Sequence, residues 1–225
     1  MLGSAIKRGE HHARSTVVMH CECERDGNRT SHGSPGYNCA TMAVIICMLR
    51  GVNLGKRRMK MDALRALCES LGLRDVQTLV QSGNVVFRSE QKNLAALTKK
   101  IETAIEWEFG FYSDVILRSA AEVRDTIARN PLMKRVDTEP NKFLVWFLVS
   151  DPGEEIRKQV RAVNTEPEEL RIDGREVYIY FPNGMARPKM KWAAIEKILV
   201  VRGTGRNWNT VRKLLEMAEK LEASR

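Results

Sequence analysis

From Met42 onward, apolar positions fall in short blocks whose period alternates between that of strands and that of helices. Ala43 to Leu49 is apolar and largely aliphatic, with the polarisable Cys47 inside it, and predicts a buried strand. Met61, Leu64, Leu67, Cys68 and Leu71 recur at helical spacing, and Gly72 supplies the stop. Val76 to Gln81 and Val85 to Arg88 are extended runs joined by Ser82-Gly83-Asn84, which predicts a hairpin. Leu94, Leu97, Ile101, Ala104 and Ile105 mark a second amphipathic helix, closed by Gly110. Tyr112 to Arg118 reads as a strand. Ser119-Ala-Ala-Glu122 reads as a capping box opening a short helix that Asn130-Pro131 ends.

The same order of elements then starts again, without a repeat at the level of residues. Lys142 to Val149 predicts a strand. Asp151-Pro152-Gly153-Glu154 predicts a helix start with Asp151 as N-cap, and Ile156, Val160 and Val163 carry its stripe. Leu170 to Ile172 and Glu176 to Phe181 form a hairpin across Asp173-Gly174. Pro188 opens a helix with Trp192, Ile195, Ile198 and Leu199 inward. A link through Gly203 and Gly205 leads to a last helix bearing Val211, Leu214, Leu215, Ala218 and Leu221. The reading is an α+β protein of two ferredoxin-like (split βαβ, antiparallel sheet) halves, 42–135 and 136–225. The second half is degenerate and carries a C-terminal helix, with Pro131 to Pro140 as linker.

Residues 1–41 differ in kind. They hold every histidine (His11, His12, His20, His32) and Cys21, Cys23 and Cys39, without an apolar period. They read as a disordered extension, with Met42 as a natural start. Neither a secretory core nor a transit-peptide composition is present, given Glu10. The spacing of His20, Cys21, Cys23, His32 and Cys39 matches no standard zinc pattern, so no metal site is expected.

With the histidines confined to the extension, residues 42–225 cannot hold a Ser-His-Asp triad, a Cys-His pair or a His-ligated metal. Cys47 and Cys68 sit at packing positions, and a reduced cytoplasmic setting is the simplest expectation. No apolar run approaches the roughly 18 residues of a membrane helix. The 225 residues carry a formal net charge of +9, which favours anionic partners.

Polar chemistry gathers in three places. Arg50, Asn53, Lys56, Arg57, Arg58 and Lys60 form a basic loop around Gly51 and Gly55, with no acid before Asp62. Such a loop suits a phosphate or carboxylate, or is a solvated turn; its spacing is neither a P-loop nor a dinucleotide fingerprint. Gln81-Ser82-Gly83-Asn84 is a second polar tip, or an ordinary tight turn. Thr204 to Thr210 is the third. There Asn207 or Asn209 caps the last helix, and no acid occurs between Glu196 and Glu216. Trp208 is either a ring clamp or, the preferred reading, a packing anchor. Tyr178 and Tyr180 share a strand face, with Trp146 on a neighbouring strand. They either stack bases or, as preferred, join the halves from inside.

Leu49-Arg-Gly-Val-Asn-Leu-Gly55, Lys60-Met61, Gln81-Ser-Gly-Asn-Val-Val-Phe87 and Arg206-Asn-Trp-Asn-Thr-Val211 together resemble the bacterial family called domain of unknown function 1697, over about residues 42 to 221. The resemblance implies two ferredoxin-like halves and no reaction. The functional expectation is an anionic ligand (a nucleotide, a phosphorylated metabolite or nucleic acid) held in a basic groove between the halves. Arg50, Asn53, Ser82, Asn84, Arg206 and Asn207 would line it. The alternatives are an enzyme on a phosphorylated or nucleotide substrate, with Ser82 or a water as nucleophile, and a structural or interaction module. Neither a cofactor nor an oligomeric state follows from the sequence.

Overall fold

A computed structural model describes residues 42–55, 57–134 and 139–224. The expectations for residues 1–41 and for Lys56 lie outside the described residues. In the first half, β1 (Ala43–Leu49) leads to α1 (Met61–Ser70), then β2 (Arg74–Leu79), β3 (Asn84–Ser89), α2 (Leu94–Phe109), β4 (Val115–Ser119) and α3 (Ala120–Ala128). A 3₁₀ turn at Pro140–Lys142 opens the second half. There β5 (Phe143–Leu148) is followed by α4 (Glu154–Arg161), β6 (Glu169–Asp173), β7 (Glu176–Tyr180), α5 (Trp192–Leu199), β8 (Gly203–Asn207) and α6 (Trp208–Ala223). The result is mixed α+β, with two four-stranded antiparallel sheets and six α-helices among the described residues. The sheet orders are β2-β3-β1-β4 and β6-β7-β5-β8.

The stretch 203–207 corrects the expectation of a link there. It is a strand paired with β5, so the second half repeats the strand order of the first. Its glycines hid it. They are needed because Trp146 crosses the strand: a Cβ on Gly203 would sit 2.2 Å from the indole nitrogen of Trp146, and one on Gly205 2.9 Å from its ring. Helix starts shift too. The N-cap of α4 is Gly153, while Asp151 accepts from the Gly153 N–H at 2.8 Å; Pro188 lies ahead of α5, which begins at Trp192.

Strand alternation divides the apolar residues into three cores. Ile45, Cys47 and Leu49 of β1 face α1 and α2, packing on Leu64, Cys68, Leu97, Ile101 and Ile105. Leu148, Val177 and Ile179 face α4 and α5. The opposite faces share one central core. Val44, Ile46, Met48 and Val86 meet Phe143, Val145, Phe147, Tyr178 and Tyr180, with Trp208, Val211, Leu214 and Leu221 of α6 joining them. Trp208 is buried edge-on to Phe143, with ring centroids 5.2 Å apart. Tyr178 and Tyr180 therefore join the sheets from inside. Trp146 faces the other way and packs against Trp192, ring centroids 4.6 Å apart and planes tilted by 55°. Each sheet is covered on both faces.

Candidate functional site at the seam of the two sheets

Two buried arginines on the inward faces, Arg206 and Arg118, sit where one sheet's edge strand meets the end of the other sheet's central strand, while a third, Arg88 on β3, is spent on the end of α6 and Asp75. Arg206 points inward from β8. Its Nη2 donates to the Leu49 carbonyl at 2.7 Å and to the Ser82 carbonyl at 3.2 Å. Its Nη1 donates to Thr204 Oγ1 at 2.7 Å and the Gly205 carbonyl at 2.8 Å. Its Nε donates to Asn84 Oδ1. Asn84 is buried and spends its amide on the Leu79 carbonyl at 3.2 Å and on Ser82 Oγ at 2.8 Å. Every guanidinium nitrogen is engaged, and all the acceptors are neutral. Burial pulls the Arg206 pKa down to about 10.

Asn53 knots the basic loop above this clasp. It adopts a left-handed conformation, φ +58°. Its Oδ1 accepts from the Met59 N–H at 2.8 Å, and its Nδ2 donates to the Met59 and Gln81 carbonyls at 3.0 and 2.7 Å. Loop and hairpin tip are thereby tied together. Gly83, φ +69°, lies so close beneath that a Cβ would fall 2.6 Å from Val52 Cγ2 and 2.8 Å from Leu49 Cβ. Neighbouring Val80 holds φ +49° while exposed, a conformation that a β-branched residue rarely adopts.

Arg50 crosses the seam differently. Its guanidinium pairs with Glu196 of α5 at 2.9 Å and lies 5.9 Å from the centre of the Trp146 ring. Its carbonyl accepts from Ser113 Oγ at 2.9 Å. Asn207 stands apart from the clasp: its Oδ1 caps α6 by accepting from the Asn209 N–H at 2.9 Å, and its Nδ2 donates to the Asn141 carbonyl at 3.2 Å. The fold thus joins Ser82, Asn84 and Arg206 by hydrogen bonds, ties Asn53 to the same hairpin tip through the Gln81 carbonyl, brings Arg50 to the same seam, and leaves Asn207 at the start of α6. These side chains are spent on partners within the protein. Still open at the surface are Arg57, Arg58 and Lys60, exposed and without an ion pair among the described residues. Ser82 Oγ has the Asn84 amide as partner, a donor that cannot take up a proton.

A second clasp, not legible in the sequence, mirrors the first. Arg118 stands opposite Ile46 of β1, as Arg206 stands opposite Val145 of β5. Its Nη2 donates to the Leu148 carbonyl, at the end of β5, at 2.7 Å, and its Nε lies 3.4 Å from Glu176 Oε1 at the start of β7. Leu148 and Glu176 hold the places in their sheet that Leu49 and Asn84 hold in the other. The Leu148 N–H donates to the Arg175 carbonyl as the Leu49 N–H donates to that of Gly83, both at 2.8 Å. Each half thus clamps the other. The two clasps differ in charge. Arg118 faces a buried carboxylate, with Arg175–Glu122 and Arg129–Asp173 pairs around it. Arg206 faces an amide. Burial raises the Glu176 pKa despite the neighbouring arginines, and burial lowers that of Arg118.

A family model described as a protein of unknown function (DUF1697) matches residues 42–178. The chain belongs to the DUF1697 family. The match ends within β7, short of Val211, so the Arg206 motif lies beyond the part of the chain that the DUF1697 pattern covers. Among solved structures, the fold is similar to that of a conserved bacterial protein from Streptococcus pneumoniae, at 21% identity and a TM-score of 0.60, over 79% of this chain and 99% of that one. No curated protein matches. No helix among the described residues is long and apolar enough to cross a membrane.

Proposed function

We propose that this DUF1697 protein binds an anionic ligand at the mouth of the Arg206 clasp, between two ferredoxin-like halves spanning 42–135 and 136–225. The ligand class is a nucleotide, a phosphorylated metabolite or nucleic acid. One observation carries the reading: Arg206 is a buried cation whose partners are all neutral, whereas its counterpart Arg118 has Glu176. Oxygen dipoles satisfy its N–H groups without cancelling its charge, so its field reaches the surface above, where it adds to Arg57, Arg58 and Lys60. Strain at exposed Val80 beside this mouth fits a built recognition surface.

In this reading Arg206, Asn84 and Asn53 form a rigid floor. Arg50 sets the wall shared with α5, and Ser82 Oγ–H and the loop's cations make the contact. Asn207 contributes only through α6.

A thermal-shift panel of nucleotides, sugar phosphates and inorganic pyrophosphate tests the small-ligand form. A ligand present at about 100 times its dissociation constant adds roughly 2.7 kcal/mol of stability. Titration with single-stranded RNA at two salt concentrations tests the polymer form, whose affinity falls steeply with salt. Arg57→Ser/Arg58→Ser, at exposed positions whose one ring contact is Arg57 over Phe111 at 6.0 Å, should abolish the signal while lowering the melting temperature of the free protein by no more than about 4 °C. Binding that survives this change, or no binding by any probe, refutes the proposal.

A further inference from the structure

α2 presents to solvent a face for which the fold has no use. Trp107 is 89% exposed, the highest of the large apolar residues. It stands beside a groove of about 840 Å³ between α1 and α2, floored by Leu67, Leu71, Ala96 and Ala104. An unpaired indole over a trough of this size indicates something that covers it.

The charges along the same face indicate what. Lys99 and Glu106 lie two turns apart on one flank of the exposed stripe, and Lys100 and Trp107 lie two turns apart on the other. Thr103 is midway, and Ala96 extends the stripe toward the N-terminus. All are exposed, and Lys99 and Glu106 have no ion pair among the described residues. Two such helices packed antiparallel about a two-fold axis near Thr103 set Lys99 of each against Glu106 of the other. The same operation sets the Lys100 ammonium, which also donates to the Leu71 carbonyl at 3.0 Å, against the partner's Trp107 ring. Small side chains at the centre allow close approach, and each indole enters the opposite trough. The face is self-complementary, which is what an isologous contact requires.

We infer that the protein forms a two-fold homodimer through α2, with Trp107 as the reciprocal anchor. This rests on a face remote from the Arg206 clasp and stands or falls apart from the anion-binding reading.

Analytical ultracentrifugation of the full chain tests it. The wild type should sediment as a concentration-dependent dimer. Trp107→Glu should be monomeric at the same concentrations, with a thermal melt equal to that of the wild type diluted below its dimer dissociation constant, because the ring is exposed in the protomer. Lys99→Glu and Glu106→Lys should each raise the dimer dissociation constant at least about tenfold by juxtaposing like charges, and the double reversal should restore it. A wild type monomeric at all concentrations, a Trp107→Glu variant that still dimerises, or a double reversal no tighter than the singles would each overturn the proposal.

Discussion

Replacing Arg206 by methionine measures what the clasp contributes. The change keeps an unbranched stem of similar length and removes only the fork of donors. It leaves Asn84 Oδ1 buried without a partner, takes the shorter of two donors from the Leu49 carbonyl, and returns the Ser82 and Gly205 carbonyls to partly wet surroundings. The Thr204 hydroxyl, 3.3 Å from the Leu49 carbonyl, keeps that acceptor partly satisfied. Each orphaned buried acceptor costs about 1–3 kcal/mol, so the loss summed over these groups is about 4–5 kcal/mol. Relief of the buried cation's desolvation offsets about 1–2 kcal/mol of that. The net expectation is a loss of about 3 kcal/mol, which for a folded unit of this size lowers the melting temperature by roughly 6–12 °C. Urea denaturation with the slope held common between variants reads it directly. Because the penalty centres on Asn84, adding Asn84→Leu to Arg206→Met should recover a measurable part of the loss, a coupling that two independent sites would not show. A single-variant loss below about 1 kcal/mol, or a double variant that is simply additive, would refute the claim that this network locks the halves.

Gly83→Ala should cost about 2–5 kcal/mol, from left-handed backbone strain plus a clash with Val52 and Leu49, whereas Gly174→Ala, whose Cβ would meet only Glu176 Oε2 at 4.0 Å, should cost about 1–2 kcal/mol; chemical denaturation separates the two. Glu176 has a folded pKa raised by burial, so the stability it contributes is fully present below the ordinary carboxylate value and is lost as pH rises through the folded one. From pH 4 to pH 8, the stability of wild type relative to Glu176→Gln should therefore fall; a flat or rising difference contradicts that assignment. Cys47 and Cys68 are buried, and desolvation raises both thiols, Cys68 to about 12. In a chain with Cys21, Cys23 and Cys39 replaced by serine, a disulfide reagent at pH 8 should label neither until urea unfolds the protein.

Much of the architecture was legible because local rules carried it. β1 ends at Leu49 as its apolar run does, and Ser119 and Glu122 form the expected capping box. Gly110 closes α2 in a left-handed turn, as expected. Strand β8 escaped because Gly203 and Gly205 signal a loop when read locally, and only Trp146, far away in the chain, explains them. The polar stretches were visible, and Asn53, Ser82, Asn84 and Arg206 were all named from their residue types. What the sequence could not convey is that these groups are consumed by partners within the protein, since hydrogen-bond saturation depends on geometry across more than a hundred residues. Arg118 and Glu176 went unnoticed for a similar reason. A lone charge in an alternating strand looks solvent-facing until a second sheet covers it. Period alone did carry one signal: Arg118 follows inward-facing Ile116 by two positions.

The reciprocal arrangement also bears on how the chain comes to be made. The Leu49 carbonyl closes with a group 157 positions downstream, on the last strand before the final helix. Until Arg206 has been made, the end of the first sheet's central strand lacks that donor, and within the first half α3 covers only part of the sheet's inner face. A chain cut ahead of Arg206 therefore lacks the clasp on its first sheet as well as the last strand of its second.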